Sequence, residues 1–561
     1  MKSVAVIGAG AAGLMAAIAA AESGARVDLF DALDAPGRKI LATGNGRCNL
    51  TNLNQGAAFY HSSSCNDVMA FFKDCGSAQL RHFFVSGGTW LTDRGGYVYP
   101  RTERASTILQ ALLSRIRVLP VDLHPGERIT EVGCSDRSDT AEASFEQVRC
   151  GQARNLQEQN GTQTGAGRDS GACLKDEGAH TGRFVMKGRH SGETYHFDAV
   201  ILTTGGKAGT AFGCRGDGYR IAASFGHTLV PPLPALTTLT VSDPQMKILA
   251  GVRAKAGIRL LWPEGEASGG WFDNNADALL SNSSNGAGAP AAAFGETACA
   301  DFASARNKLG CMSASGEIQF AEGALSGIPV FQVSGAAAQI LQMHKSGDRQ
   351  QSGAKTCEQM QSRPGANISL KKNYLNRKNY SRTKNSAIAQ NQNAQNQNPA
   401  IAGNSYLTAE IDCLPEFSEE MWQNECRVRL SRAETDTSMT AAGFFEGLVH
   451  PAIASYIIRS EGIADEKKLA NLRERRDEIL QRFMYRLRHL QWTVTGTGGF
   501  ERAQVTRGGV SLAEVDCRME SKLQKGLFLA GELLDQDGLC GGYNLTWAMC
   551  TGMIAGRSAA Q

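Results

Sequence analysis

The chain has 561 residues, 42% apolar and 20% charged, with a formal charge of +3. That length exceeds what one hydrophobic core serves, so two or three domains are expected in an ordinary soluble globular protein. The near-neutral balance excludes a strong overall attraction to nucleic acid or membrane, though not a local basic patch, and no run approaches the roughly 18 apolar residues of a membrane span.

The chain opens with a short apolar run, 4–7, that stops at Gly8-Ala9-Gly10-Ala11-Ala12-Gly13. An alanine-rich helical stretch follows, then a second apolar run, 26–30, ending at Asp31. Strand, glycine turn, helix, strand and acid in this order are what a dinucleotide-binding βαβ unit requires. Gly8 allows the tight turn, Gly10 lets the backbone approach a pyrophosphate, and Gly13 lets helix and strand pack closely. Ala11 and Ala12 then open a helix whose free N–H groups and dipole favour that anion. Asp31 stands where an acceptor to ribose hydroxyls is expected, which disfavours a 2′-phosphate.

Fifteen cysteines, an odd number without framework spacing or a CxxC pair, read as reduced thiols in a cytoplasm. Met1-Lys2-Ser3 leads directly into the first strand, so no signal peptide is expected.

Pro36-Gly37-Arg38-Lys39 and a glycine-rich polar loop, 43–52, come next. Two basic residues ahead of such a loop suit a second contact with a diphosphate and a flavin ring; a plain surface loop is the alternative. The run GRKILATGNGRCNLTN resembles the signature of a bacterial flavoprotein family, the BaiN-like, YhiN-like or aminoacetone-oxidase-like FAD-binding proteins. The resemblance implies FAD beside Arg38, Lys39, Gly46, Arg47, Cys48 and Asn49. It also implies an α/β fold, in which a Rossmann-like (glutathione-reductase-type) FAD-binding domain built from both chain ends carries an inserted β-rich domain and a helical lid.

Residues 65–84 read as a helix, and the segment 93–100 resembles the family's link between its early FAD motifs. Arg101 and Arg104 suit a phosphate or acidic substrate as well as a solvated helix start. Residues 117–132 suggest a strand pair of the small sheet that interrupts such domains. A polar stretch at about 135–182 reads as a flexible insertion. The buried strand 198–202 then leads into Thr203-Thr204-Gly205-Gly206, a turn that resembles the one returning the chain to the cofactor. A helix opens at Gly216-Asp217-Gly218-Tyr219.

Pro231-Pro232-Leu233-Pro234 marks a domain boundary, because proline continues neither a helix nor a central strand. Strands of a second domain are expected from 236, with polar insertions at about 263–309 and 345–404 around the family's middle motif, 316–327. The second insertion holds KKNYLNRKNYSRTK, 371–384, whose basic and aromatic residues suit RNA, or else a solvated loop. A charged helix, 465–490, completes a helical region from 441 that serves as a lid or a scaffold.

The last seventy residues return to the flavin. The apolar strand 526–530 ends at Gly531-Glu532, where an acid is expected to meet the ribityl chain, and a final helix begins at Gly541-Gly542-Tyr543-Asn544. Its dipole is aimed at the flavin N1–C2=O region, where charge collects on reduction. The resulting division is an FAD-binding domain from 1–230 and 491–561, a β-rich substrate domain 231–440 and a lid 441–490.

No second GxGxxG is visible, so NADH or NADPH would dock transiently as donor. The resemblance implies two substrates for hydride transfer to a C=C bond. One is uridine in 23S ribosomal RNA, giving dihydrouridine; the other is an unsaturated steroid or bile-acid intermediate. Either needs a general acid opposite the flavin, for which Cys48, Cys540 and Tyr543 are the candidates. A non-catalytic flavin-binding partner of the ribosome and an amine or aminoketone oxidase are the competing readings.

Overall fold

The computed structural model describes residues 1–135, 183–263, 309–360 and 407–561. The flexible insertion and most of both polar insertions, the basic segment 371–384 included, lie outside them.

Two chemically different cores organise the chain. The first lies on a five-stranded parallel sheet in the order Leu527–Leu529, Ala199–Leu202, Ser3–Ile7, Arg26–Asp31, Val121–Pro125. Its edge strand comes from the C-terminal end and pairs in register with Val200, Ile201 and Leu202. Strands buried on both faces read as continuous apolar runs, which is why 4–7 and 199–202 carry no alternation. On one face the helix Ala11–Glu22 packs on the last helix, Tyr543–Ala560. A Cβ added at Gly552 or Gly556 would lie 2.2 Å from the carbonyl oxygen of Ala12 or Ala16, so the approach depends on the missing side chains. The Rossmann-like unit is thus closed by both chain ends.

A three-stranded antiparallel sheet, Ile129–Ser135, Arg183–Gly188 and Thr194–Phe197, interrupts this unit. The second core fills a closed barrel of six antiparallel strands. Their order is Leu239–Val241, Ala324–Ser326, Leu309–Ala321, Arg253–Pro263, Thr408–Asp412, Leu490–Thr497. Leu490, Trp492 and Val494 point inward while Gln491, Thr493 and Thr495 face out, the alternation of a half-buried strand. The helices Glu419–Thr435, Pro451–Ser460 and Arg476–Arg488 lie peripherally, consistent with a helical lid, and pack on the barrel core through Ala433, Ile457 and Phe483.

Several local expectations need correction. Leu229–Ala235 is a strand despite its prolines, paired with Val505–Val510 in a two-stranded ribbon whose register shifts between Val230 and Leu233. A two-stranded ribbon leaves one edge of each strand unpaired, so the missing N–H groups cost little there. Leu490–Thr497 closes the barrel, so the inserted domain reaches past 490. The expected helix 65–84 is a 3₁₀ turn, Val68–Phe72, followed by the helix Ser77–Ser86. The expected helix 465–490 splits likewise into Leu469–Arg475 and Arg476–Arg488, because Arg473 takes φ 49° and breaks the hydrogen-bond ladder. The helix Ile328–Met360 extends into a stretch expected to be polar loop.

Candidate functional site

A cavity of about 720 Å³ opens at the parallel sheet, with walls from both chain ends and the inserted domain. Its floor is the turn after the first strand. Gly8 has φ 107°, and a Cβ there would sit 2.5 Å from the carbonyl oxygen of Thr203. A Cβ at Gly13 would meet the carbonyl oxygen of Gly8 at 1.7 Å, whereas one at Gly10 would meet nothing within 4 Å. Two of the three glycines therefore serve packing, and Gly10 leaves room on the cavity side. The helix Ala11–Glu22 has no side-chain cap and no acid in its first turn, so its leading N–H groups stay available to an anion.

Asp31 accepts from the N–H of Ala9 at 2.7 Å and of Leu33 at 2.8 Å. Burial raises its carboxyl above the usual range, and these two bonds offset only part of that rise. Lys39 and Glu532, expected at the diphosphate and the ribityl chain, form an ion pair at 2.6 Å across the cavity wall. Glu532 also accepts from the N–H and hydroxyl of Thr506. Burial would lower the Lys39 ammonium, but Glu532 and the neighbouring Cys214 overcome it and hold it above its ordinary value. The final helix begins at the uncapped Gly542, φ 94°, which also lines the cavity.

Of the residues expected at the cofactor, Gly8, Gly10, Ala11, Ala12, Asp31, Arg38, Lys39, Asn49, Thr204, Gly205, Glu532, Gly541, Gly542 and Asn544 line this cavity. The rest stand behind it. Gly46 and Arg47 are exposed, turned outward by left-handed backbone at Gly44 and Asn45. Gly206 is packed under Thr506 and Glu532, and Gly531 against Ala12, each at a contact no side chain would fit.

The candidate acids separate in the same way. Cys48 is fully buried in the core, with φ 58°, and contributes nothing to the wall. Burial pushes its thiol up to about 11. Tyr543 stacks on Phe59, ring centroids 4.7 Å apart, and meets Tyr60 edge-on, also off the wall. Cys540 does line the cavity, and burial pushes its thiol up to about 12, so it is protonated at neutral pH.

Several wall positions escaped the sequence reading. Tyr97 and Tyr99 both line the cavity. Their i, i+2 spacing about the buried Val98 was the signal that they share a face. Burial raises the Tyr97 phenol, and Cys540 beside it adds to the rise. Leu236 and Phe331 enter from the inserted domain and pack with Val505 and Cys540 into an apolar wall. No local pattern announces such a contact, because it exists only once the two domains meet.

The residues fit FAD. Two uncapped helix starts and the Lys39–Glu532 pair in the wall would not by themselves decide this, but three lining side chains carry buried polar atoms without a partner among the described residues. They are Asn49 Oδ1, Thr204 Oγ1 and both amide atoms of Gln536. Fold and site define a Rossmann-type, flavin-dependent oxidoreductase. The chain belongs to the family described as HI0933-like protein Rossmann domain, which it matches over residues 2–160 and 170–558.

Among its relatives, the 3-dehydro-bile acid delta(4,6)-reductase of Clostridium scindens is 28% identical over 564 residues, covering 100% of both chains. The ribosomal RNA dihydrouridine synthase of Haemophilus influenzae is 23% identical over 97% of this chain and 94% of its own. That of Escherichia coli is 24% identical over 45% of this chain and 52% of its own. Among the described residues, no helix is long and apolar enough to cross a membrane.

Proposed function

We propose that the protein reduces a carbonyl-conjugated C=C bond in a small, apolar, steroid- or bile-acid-like molecule, with NADH or NADPH as electron donor. The observation that carries this reading is the apolar wall of Leu236, Phe331, Val505 and Cys540 in the cavity that Tyr97 also lines. Bound FAD supplies two-electron hydride chemistry. The chain's own residues do the rest. The uncapped start of Ala11–Glu22 would hold the cofactor's pyrophosphate, and Asp31 its adenosine ribose. Leu236 and Phe331 exclude water and hold an apolar ring system. Tyr97 or Cys540, each kept protonated by burial, delivers a proton to the carbon next to the one reduced.

The full-length similarity to a bile-acid reductase supports this substrate class over the RNA reading. Uridine in 23S ribosomal RNA is the second reading. Its support is the likeness to two ribosomal RNA dihydrouridine synthases.

The test is anaerobic. Protein reduced by NADH or NADPH is mixed with a 3-oxo-Δ4 steroid, and flavin reoxidation is followed by absorbance. Rapid reoxidation with loss of the enone band is expected. Failure to reoxidise with any enone, together with loss of 23S dihydrouridine from cells lacking the gene, would replace this reading by the RNA one. Flavin that neither nicotinamide reduces would leave a binding protein instead, and flavin reduced by an amine, with peroxide released once oxygen is admitted, an oxidase.

A further inference from the structure

Residues 535–537 lie between Glu532 and the final helix, and Gln536 among them reaches the cavity wall. Asp535 is fully buried, and its carboxylate accepts from the N–H of Ser63 at 2.9 Å and the hydroxyl of Ser64 at 2.8 Å. Asp537 is held by Arg507 through two bonds, at 3.0 and 3.1 Å, and by His61 at 3.0 Å. Both aspartates therefore face into the protein, locked to the N-terminal segment and to the ribbon strand. Gln536 alternates to the other side and lines the cavity. It is 1% exposed, and neither its Nε2 nor its Oε1 has a partner among the described residues.

A buried primary amide with both ends unsatisfied is costly, and such groups in folded proteins are ordinarily paired. Methionine or leucine would fill the same volume without that cost. The amide presents one donor and one acceptor side by side, and its complement is a group presenting one acceptor and one donor in the same way. A cyclic imide, with N–H beside C=O, is such a group. It occurs on the pyrimidine edge of a flavin and on uracil.

We propose that Gln536 is a recognition residue for a cyclic imide edge in this cavity, making paired hydrogen bonds through Oε1 and Nε2. This rests on the flavoprotein reading of the cavity. The two sources of the imide, the cofactor's ring and a uracil base, are separated by experiment.

Apoprotein of wild type and of Gln536→Met is titrated with FAD, and the FAD-loaded proteins are then titrated with uridine monophosphate. If the flavin supplies the imide, Gln536→Met binds FAD about tenfold more weakly, while its apoprotein melts at a higher temperature than wild type because an unpaired buried amide is gone. If uracil supplies it, FAD binding is unchanged and the nucleotide is lost. Gln536→Glu keeps a donor and an acceptor only while protonated, so binding of whichever ligand is recognised falls as pH rises through its carboxyl pKa. The wild type shows no such fall. A residue that merely filled space would show neither the opposed stability change nor this pH profile. Wild-type apoprotein that takes up no FAD would sink the flavoprotein reading itself. Unchanged FAD and nucleotide binding by Gln536→Met, with wild-type binding intact, overturns only the role of Gln536.

Discussion

Nζ of Lys39 lies 2.6 Å from Oε2 of Glu532, a residue 493 positions further along the chain. The pair ties the first glycine-rich segment to the C-terminal strand end, in the wall of the cavity. Lys39 also donates to the carbonyl of Ala208 at 3.1 Å, so three separate segments meet on one ammonium. Lys39→Met leaves the Glu532 carboxylate with only its Thr506 donors. The two side chains keep 28% and 19% of their exposure, so the loss is about 2 kcal/mol rather than the roughly 4 of a sealed pair. Urea denaturation of the apoprotein measures it, and FAD retention should fall in parallel. A variant as stable as wild type would show the pair to be incidental.

Gly10 and Gly13 should fail differently when changed to alanine. Gly13→Ala places a methyl on the carbonyl of Gly8 and disrupts the packing of helix on strand. A loss of about 1–3 kcal/mol in apoprotein stability is expected. Gly10→Ala meets no protein atom, so apoprotein stability holds while FAD affinity drops. Thermal melts and FAD titration of both variants separate the effects; equal destabilisation would contradict the assignment.

Cys48→Ala should cost stability and leave turnover intact, because the thiol is sealed in the core and outside the cavity wall. Tyr97→Phe and Cys540→Ala keep the flavin, and the one that donates the proton loses about 10²–10⁴ in kcat. Single-turnover reoxidation by an enone reads this directly. Full turnover in both would move the acid elsewhere on the wall.

Acid should weaken both domains in the same window. Burial would raise Asp537 and Glu410, but charged and hydrogen-bonding neighbours outweigh it. Arg507 and His61 hold Asp537 at about 2 against an ordinary 3.8; His489 and Arg259 hold Glu410 at about 2 against 4.5. Between these values the unfolded chain binds more protons than the folded one, so stability rises with pH. The stabilisation is present above pH 4.5 and lost as pH falls toward about 2, roughly 2 kcal/mol for Asp537 and roughly 3 kcal/mol for Glu410. Asp537→Asn should flatten that slope in urea midpoints taken across the window. An unchanged slope would assign the acid sensitivity to other carboxylates.

The sequence by itself determined the cofactor class and the floor of the site. Gly8, Gly10, Gly13 and Asp31 all fall within the first 31 residues, and backbone sterics at a tight turn leave so few solutions that the pattern is readable in one dimension. The joining of both chain ends was also expected, through the family resemblance of the motifs that follow the apolar runs 199–202 and 527–529.

Tertiary structure decided what the cavity can accept. The glycine-rich loop placed Cys48 close to the site in sequence, but its left-handed backbone turns the thiol into the core, and Tyr543 points into an aromatic stack. Tyr97, Leu236, Phe331 and Gln536 come from segments separated by hundreds of residues. Their chemistry depends on burial and on which neighbours they lack, and both are properties of the assembled cavity. Local sequence carries neither, because desolvation and hydrogen-bond satisfaction are set by atoms brought close only when the barrel closes against the Rossmann-like sheet.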